Sequence, residues 1–425
     1  MSKAGLFVKL IFVFLGIILI SGCWGAREID EVAYPLALGI DQSPGKNLVI
    51  SVAVANITTG GAASNGNQPL SGIKTRVFTT EAPSMFTGLT AINTILERPI
   101  SLGHLKIVVF SEAVARKGLA EYMDTLTRWR QFRRTIYIAV SQGEARNIMD
   151  AIIPPSEDNP GKFLELMLLT QGYVGYTPRG QLLKFYNALK TKGEDPIAMF
   201  IAPRSSKFTQ TETQPQDTVT GNTVYSPDPG NYTAAGPRVT GEGPLQFLGT
   251  AIFKKDKMVD KLTGNETLGF SLMRGEFSRT FVSVPDPESP DKLVQIELSR
   301  IKKPRVTLKR DGNIIRAKVE LYVLGDIASV PSNHKYELPS RIPLLEKSMK
   351  KWIGQYALAA FRKAQSNNAD IFGFGDYAHW LAPDWKAWQQ WNWEETFRSL
   401  DLDLKVVAHV DRTGLIIEKN AVRED

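Results

Sequence analysis

The chain of 425 residues holds one cysteine, Cys23, and only four histidines. A lone cysteine excludes an intrachain disulfide framework and leaves no thiolate set for a structural zinc site. His104, His334, His379 and His409 lie too far apart in sequence to form a local metal motif. No glycine-rich phosphate loop follows a strand, and no nucleophile elbow is present. Beyond residue 22, no apolar stretch reaches the roughly 18–20 residues that a bilayer crossing needs. With 43% hydrophobic and 22% charged residues the composition is that of a globular protein, neither disordered nor multi-spanning. The length exceeds one ordinary core and points to two or three domains.

What is present begins at the N-terminus. Lys3 and Lys9 precede an uncharged apolar run, 10–20. Its length suits the h-region of a signal peptide and is too short to span a bilayer. The run leads through Ser21 and Gly22 into Cys23, an arrangement that resembles a bacterial lipobox. In a lipobox the cysteine thiol is diacylated before cleavage and becomes the mature N-terminus. The alternative is a free thiol that happens to follow a signal sequence. Each buried methylene contributes roughly 0.8 kcal/mol, and stable anchoring takes about two chains, which a diacylglyceryl group supplies. Charge is the rival way to hold a chain of pI near 9.2 on a membrane. Removing 1–22 takes away Lys3 and Lys9 and no acid, so the formal charge falls from +7 to +5. Basic residues add only about 1 kcal/mol each at an anionic surface, and in the sequence they are scattered. Lipid therefore outweighs charge. The best candidate for nucleic-acid contact, Arg128-Trp129-Arg130-Gln131-Phe132-Arg133-Arg134, sits between a helix and a strand. In an exported chain it reads as a solvated face, with no nucleic-acid partner.

The apolar pattern sets out the rest in order. Residues 32–41 and 48–56 read as neighbouring strands joined by Ser43-Pro44-Gly45. Residues 58–72 form a Gly-, Asn- and Ser-rich loop, and 74–80 a further strand. Ser84 opens a helix with Met85, Leu89, Ile92 and Leu96 on one face, stopped by Pro99. Strands at 105–110 and 136–140 alternate with helices at 112–128 and 144–152. Helices at 163–170 and 181–190 and a closing strand at 196–202 follow. Such alternation suits a sheet covered by helices. Residues 209–237 carry too little apolar surface to offset ordering entropy and read as a mobile insertion.

Residues 247–253 and Met258 flank a charged hairpin turn, Lys254-Lys255-Asp256-Lys257, and 265–272 return to helix. A linker at 284–292 is marked by Pro285, Pro287 and Pro290. Strands at 293–298, 305–309 and 315–323 then form a meander, with Asp311-Gly312 as a hairpin turn. In the third strand Ile315, Ala317, Val319, Leu321 and Val323 alternate with Arg316, Lys318, Glu320 and Tyr322, giving one dry face. Pro343 opens a helix to about residue 364 whose stripe of Leu345, Met349, Trp352, Ile353, Tyr356 and Ala360 covers that face. Leu402, Leu404, Val406, Ala408 and Val410 make a last strand before the turn Arg412-Thr413-Gly414.

Six of the eight tryptophans fall in the last third. Trp385, Trp388 and Trp391 step by three along one side of a helix. They offer a carbohydrate-stacking platform, a bilayer-surface belt or a partner-docking face. The plainer reading, preferred here, packs them onto the meander. Phe372-Gly373-Phe374-Gly375 reads as a helix stop and tight turn with both rings in the core.

Three separated stretches resemble one family. Cys23-Trp24 with Arg27-Glu28-Ile29-Asp30-Glu31 and Leu38-Gly39-Ile40-Asp41 is similar to the mature start of the Ger(x)C lipoproteins, the C subunits of spore germinant receptors. Gly103-His104-Leu105-Lys106, Gly118-Leu119 and Arg133-Arg134 resemble the same N-terminal domain. Leu248-Gly249-Thr250-Ala251-Ile252-Phe253-Lys254-Lys255-Asp256-Lys257-Met258-Val259 resembles its middle segment. Ala369-Asp370-Ile371-Phe372-Gly373-Phe374-Gly375-Asp376-Tyr377, followed by Trp385, Trp391, Phe397 and Arg412-Thr413-Gly414, resembles the C-terminal domain. Gly25 departs from the polar residue usual there, and the insertion at 209–237 is longer than the pattern. The resemblance implies a multidomain α+β protein with mixed sheets each covered by helices behind an N-terminal lipoprotein signal peptide. It implies no catalytic activity, Cys23 as the lipid attachment site, and no cofactor beyond the diacylglycerol and N-acyl lipid there. It implies, too, a place on the outer face of the spore inner membrane with two partners, a polytopic A-type and a transporter-like B-type subunit.

The expected organisation is a signal peptide (1–22), an N-terminal α+β domain (23–205), a flexible insertion loop (206–240), a middle segment (241–283) and a C-terminal α+β domain (284–425). Two other functions compete with the receptor subunit. A solute-binding lipoprotein needs two similar lobes around a cleft, whereas here the halves differ. A tethered cell-wall hydrolase needs convergent carboxylates or a nucleophile with a base, and the sequence advertises neither.

Overall fold

The computed structural model describes residues 31–55, 75–152, 159–204, 228–237 and 245–411, apart from 313 and 333, with isolated positions at 5, 7 and 239. The apolar run, Cys23, the loop at 58–72, the greater part of 206–240 and the turn after residue 411 lie outside the described residues.

The first half builds around β1 (Pro35–Gln42), with β2 (Leu48–Ala55) and β3 (Thr75–Ala82) antiparallel beyond it. The Ser84 hydroxyl accepts from Thr87 N–H and caps α1 (Met85–Asn93), which buries Met85, Leu89 and Ile92. The helix stops short of Pro99. Thr94 and Ile95 tighten into i→i−3 bonds, and Asn93 Oδ1 accepts Ile100 N–H. After β4 (Ile107–Ser111), the helix expected over 112–128 is two, α2 (Glu112–Lys117) and α3 (Ala120–Arg128). The break is Gly118, at φ 131, after which Leu119 N–H donates to Asp256 O. The chain continues through β5 (Tyr137–Ser141), α4 (Ala145–Asp150), α5 (Pro160–Val174), α6 (Leu182–Lys190) and β6 (Ile197–Pro203).

β6 does not close the sheet. β7 (Leu245–Lys254) pairs antiparallel with it and β8 (Lys257–Leu262) pairs with β7, giving eight strands in the order β3-β2-β1-β4-β5-β6-β7-β8. β1, β4, β5 and β6 run parallel, so all four begin at one end of the sheet. Helices cover both faces. Residues of α1, α2, α3 and α6 pack with Leu38, Ile40, Val108 and Phe110 on one side, and residues of α4 and α5 with Ala37, Ile107 and Val109 on the other. Burial on both faces is why β1 and β4 read as continuous apolar runs. Of the insertion, residues 228–237 form a 3-10 turn over Pro229–Asn231 and bury Ala234.

Thr263 and Glu266 close a reciprocal capping box on α7 (Gly264–Arg274), which packs into a second core. β9 (Arg279–Pro285) is a strand that the nearby prolines hide, although Thr280, Val282 and Val284 alternate inward with Arg279 and Phe281 outward. With β10 (Leu293–Arg300), β11 (Arg305–Asp311) and the sixteen-residue β12 (Ile314–Ser329) it forms an antiparallel sheet. The long helix, α8 (Ile342–Ser366), lays Leu345, Met349, Ile353, Ala357 and Ala360 on the dry face of β12 as its pattern predicts. Three short helices, α9 (Gly375–Ala378), α10 (Trp385–Gln390) and α11 (Trp393–Arg398), lead to β13 (Asp401–Val410). β13 lies parallel to β12, so α8 to α11 form the crossover between them. The fold is α+β with two mixed sheets carrying helices.

Leu321, fully buried between β12 and α8, tests the dry-face assignment. Leu321→Ala should cost about 2–5 kcal/mol, read as a lower urea midpoint, while Lys309→Ala on the exposed face should stay within about 0.5 kcal/mol. Equal effects would show the faces wrongly assigned.

Candidate functional site

The two sheets share the core that holds Ile252, Leu262 and Leu268, and at its edge three segments converge: the loop 191–195 between α6 and β6, the β7–β8 turn, and the stretch 369–375 after α8. Two buried aspartates organise the junction. Asp195 N–H donates to Asp370 O (2.8 Å), and Asp370 N–H returns a bond to Asp195 Oδ2 (2.9 Å). The same Oδ2 accepts Lys254 Nζ at 3.2 Å, and Asp195 Oδ1 accepts Lys255 N–H at 2.8 Å. Asp370 Oδ1 accepts Phe374 N–H (3.1 Å), and its Oδ2 accepts Gly375 N–H (2.9 Å) and Trp393 Nε1–H (3.0 Å). Burial pushes the Asp370 carboxyl up to about 7, against the downward pull of those three donors.

Close backbone approach completes the contact. Gly375 N–H donates to Gly193 O at 3.1 Å, and a Cβ on Gly193 would lie 2.5 Å from the Gly375 carbonyl carbon. Neither position admits a side chain. Arg274 of α7 ties the flank, bonding Glu194 Oε1 (2.9 Å) and Phe372 O (3.1 Å).

Beside this latch opens a cavity of about 640 Å³, walled by Tyr186, Lys254, Lys255, Trp391, Trp393 and Glu394. Lys192 Nζ donates to Trp388 O (2.8 Å) and Gln389 O (2.6 Å) and sits 5.3 Å above the Trp388 ring. Lys254 and Lys255 both reach Glu394, at 3.5 and 3.2 Å. Each of these charges is engaged across the junction, so the chemistry on view is that of holding two bodies in register.

The residues singled out from sequence fall variously. Cys23 lies outside the described residues. The histidines do not converge: His104 stacks edge-on to Tyr34, His334 bonds Ser289, His379 lies against Trp380, and His409 faces Glu346. Among the described residues no group of three His, Cys, Asp or Glu could hold a metal. Phe372 and Phe374 are buried and stacked at 5.5 Å, as a core role predicts. The tryptophans divide. Trp388 and Trp393 are buried and Trp391, the C-cap of α10, packs half-buried on the same core, whereas Trp380 and Trp385 face solvent.

Comparison with known proteins decides the family. Residues 25–203 match the model of the spore germination protein N-terminal domain, and 248–414 that of the spore germination B3/GerAC-like C-terminal domain. The chain belongs to the Ger(x)C family. Relatives include spore germination protein KC of Bacillus subtilis (strain 168), 23% identical over 95% of both chains. Another is spore germination protein GerQC of Bacillus cereus, 21% identical over 96% of this chain and 98% of that one. The crystal structure of the GerBC protein shares the fold, with a TM-score of 0.51 at 13% identity, covering 88% of this chain and 96% of that one.

Sequence reasoning quoted Asp370 within a Ger(x)C stretch but missed its partnership with Asp195. The one available signal was an acid, Asp370, set between apolar residues Ala369 and Ile371.

A carboxyl held high in the folded chain ionises more easily unfolded, so its contribution is full below about pH 4 and lost as pH rises through about 7. The stability difference between the wild type and Asp370→Asn should therefore shrink from pH 5 to pH 8 in urea titrations. A difference that is flat or grows with pH contradicts the assignment. Gly193→Ala, which forces Gly375 away, should destabilise by about 1–3 kcal/mol and expose Trp388 to acrylamide; an unchanged Trp388 would deny that the contact is tight.

Proposed function

We propose that the chain is a lipid-anchored, non-catalytic subunit of a nutrient germinant receptor in the spore inner membrane, needed to trigger germination. The observation that carries this is the tandem match to both spore-germination family models, in a chain whose relatives align along nearly their whole length. Anchoring is assigned to acyl chains on Cys23, supported by the charged start, apolar run and small residues ahead of that lone thiol. Among the described residues no helix is long and apolar enough to cross a membrane. The partners are a polytopic A-type and a transporter-like B-type subunit in the same bilayer. A tethered protein meets such partners at high effective concentration, so modest interfaces suffice. The Asp195–Asp370 latch suits the role, since it delivers the two sheets to a partner as one body.

Deleting the gene in its spore-forming host should slow or abolish the loss of spore refractility in at least one nutrient; unchanged responses across a nutrient panel, with sister receptors also deleted, would overturn the receptor role. Cys23→Ala should abolish incorporation of labelled palmitate, and persistent labelling would place the lipid elsewhere.

A further inference from the structure

The sheet register gathers several scattered segments at one end of the molecule. β1, β4, β5 and β6 all start there, and β7 ends there, since Ile197 pairs with Ile252. The run 128–134 lies at this end. Gln131 Oε1 accepts Leu102 N–H, Ser101 N–H donates to Ala33 O, and Ile136 leads directly into β5. Arg130, Arg133 and Arg134 are exposed, and Trp129 is 43% exposed between them and α3. The segment 370–394 hangs from the same end, docked on loop 191–195 and, through Glu394, on Lys254 and Lys255 at the β7–β8 turn. It presents Trp380 at 80% and Trp385 at 67% exposure, with Tyr377 at 46% and Lys386 exposed alongside.

Large aromatic rings left in water are costly unless they meet a partner. Trp and Tyr beside Arg and Lys suit the headgroup layer of a bilayer, where the ring sits at the interface and the cation meets anionic lipid. Chain length points to the same occupant. The segment from Cys23 to Pro35 enters β1 at this end and spans at most ~40 Å fully extended. β1 and β6 are three strand spacings apart, only ~14 Å. We infer that this basic, aromatic end of the first sheet lies on the surface of the anionic bilayer to which the chain is tethered, with Trp129, Trp380 and Trp385 at the headgroup level. The inference rests on the anchoring proposed for Cys23.

The test uses the full-length acylated protein in vesicles of phosphatidylglycerol and phosphatidylcholine, the latter brominated near the top of its acyl chains. Flotation with the vesicles reports the anchor, and tryptophan quenching reports the face. Quenching should fall to about half in Trp380→Phe/Trp385→Phe, two of four interfacial rings being lost, with Trp129 and Trp24, the neighbour of the acylated Cys23, remaining. Both side chains are exposed, so folding should survive. Quenching should also drop when phosphatidylglycerol is omitted. A protein that fails to float overturns the anchoring. One that floats with quenching unchanged in the double variant overturns the face alone. Equal quenching with and without phosphatidylglycerol overturns the part assigned to the arginines.

Discussion

The buried carboxylate of Asp370 is the constraint on which the arrangement of the two halves depends. A buried carboxyl is tolerated only when its lone pairs are met, and here three N–H donors meet them. Those donors come from the turn at 374–375 and from Trp393 on α11, so placing one carboxyl places both segments. Its own backbone is bonded in turn to Asp195, whose carboxylate holds Lys254 and the Lys255 amide. Each such bond contributes about 0.5–1.5 kcal/mol net, and losing the shared acceptor strands its buried donors at about 1–3 kcal/mol apiece. The junction therefore forms as a unit, and it adds to the packing of Ile252, Leu262 and Leu268 in the second core in holding the second sheet against the first.

Much of the fold was legible because it is written in local periodicity. The alternation in β12, the stripe of α8 and the Ser84 cap each depend on neighbours within a few residues. The misses were long-range. Nothing near β13 shows that it runs parallel to β12, and nothing near β6 shows that β7 adds beyond it. Gly118 was visible, yet its break depends on Asp256 O, far along the chain. The latch shares this property. Asp195 and Asp370 are each ordinary in sequence and acquire meaning only when paired. The tryptophan stripe held in part: Trp388 and Trp391 pack on the core as the plainer reading has it, while Trp385, the first residue of the six-residue α10, faces solvent.

The role proposed for Cys23 stands at the other extreme, legible as a motif alone, since it belongs to acyl chemistry and not to packing. The lipid and the latch divide the work in the proposed account. Acyl chains supply affinity for the membrane without fixing how the protein sits on it. The latch supplies rigidity, so that any contact orienting one sheet orients the other.

Orientation is where weak forces become sufficient. A freely tethered body has already lost most of its translational freedom, so only rotational ordering remains to be offset. A few arginines at about 1 kcal/mol each, helped by interfacial rings, are of the right size for that, though far too weak to recruit the protein unaided. With the basic end of the first sheet down, the latch and the cavity beside it lie on the membrane side. The β1–β2 turn then stands roughly one strand length away, ~26 Å for eight residues. A sheet whose parallel strands all begin at one level thus offers the lipid a single end, and on the proposed account orienting that end orients both sheets.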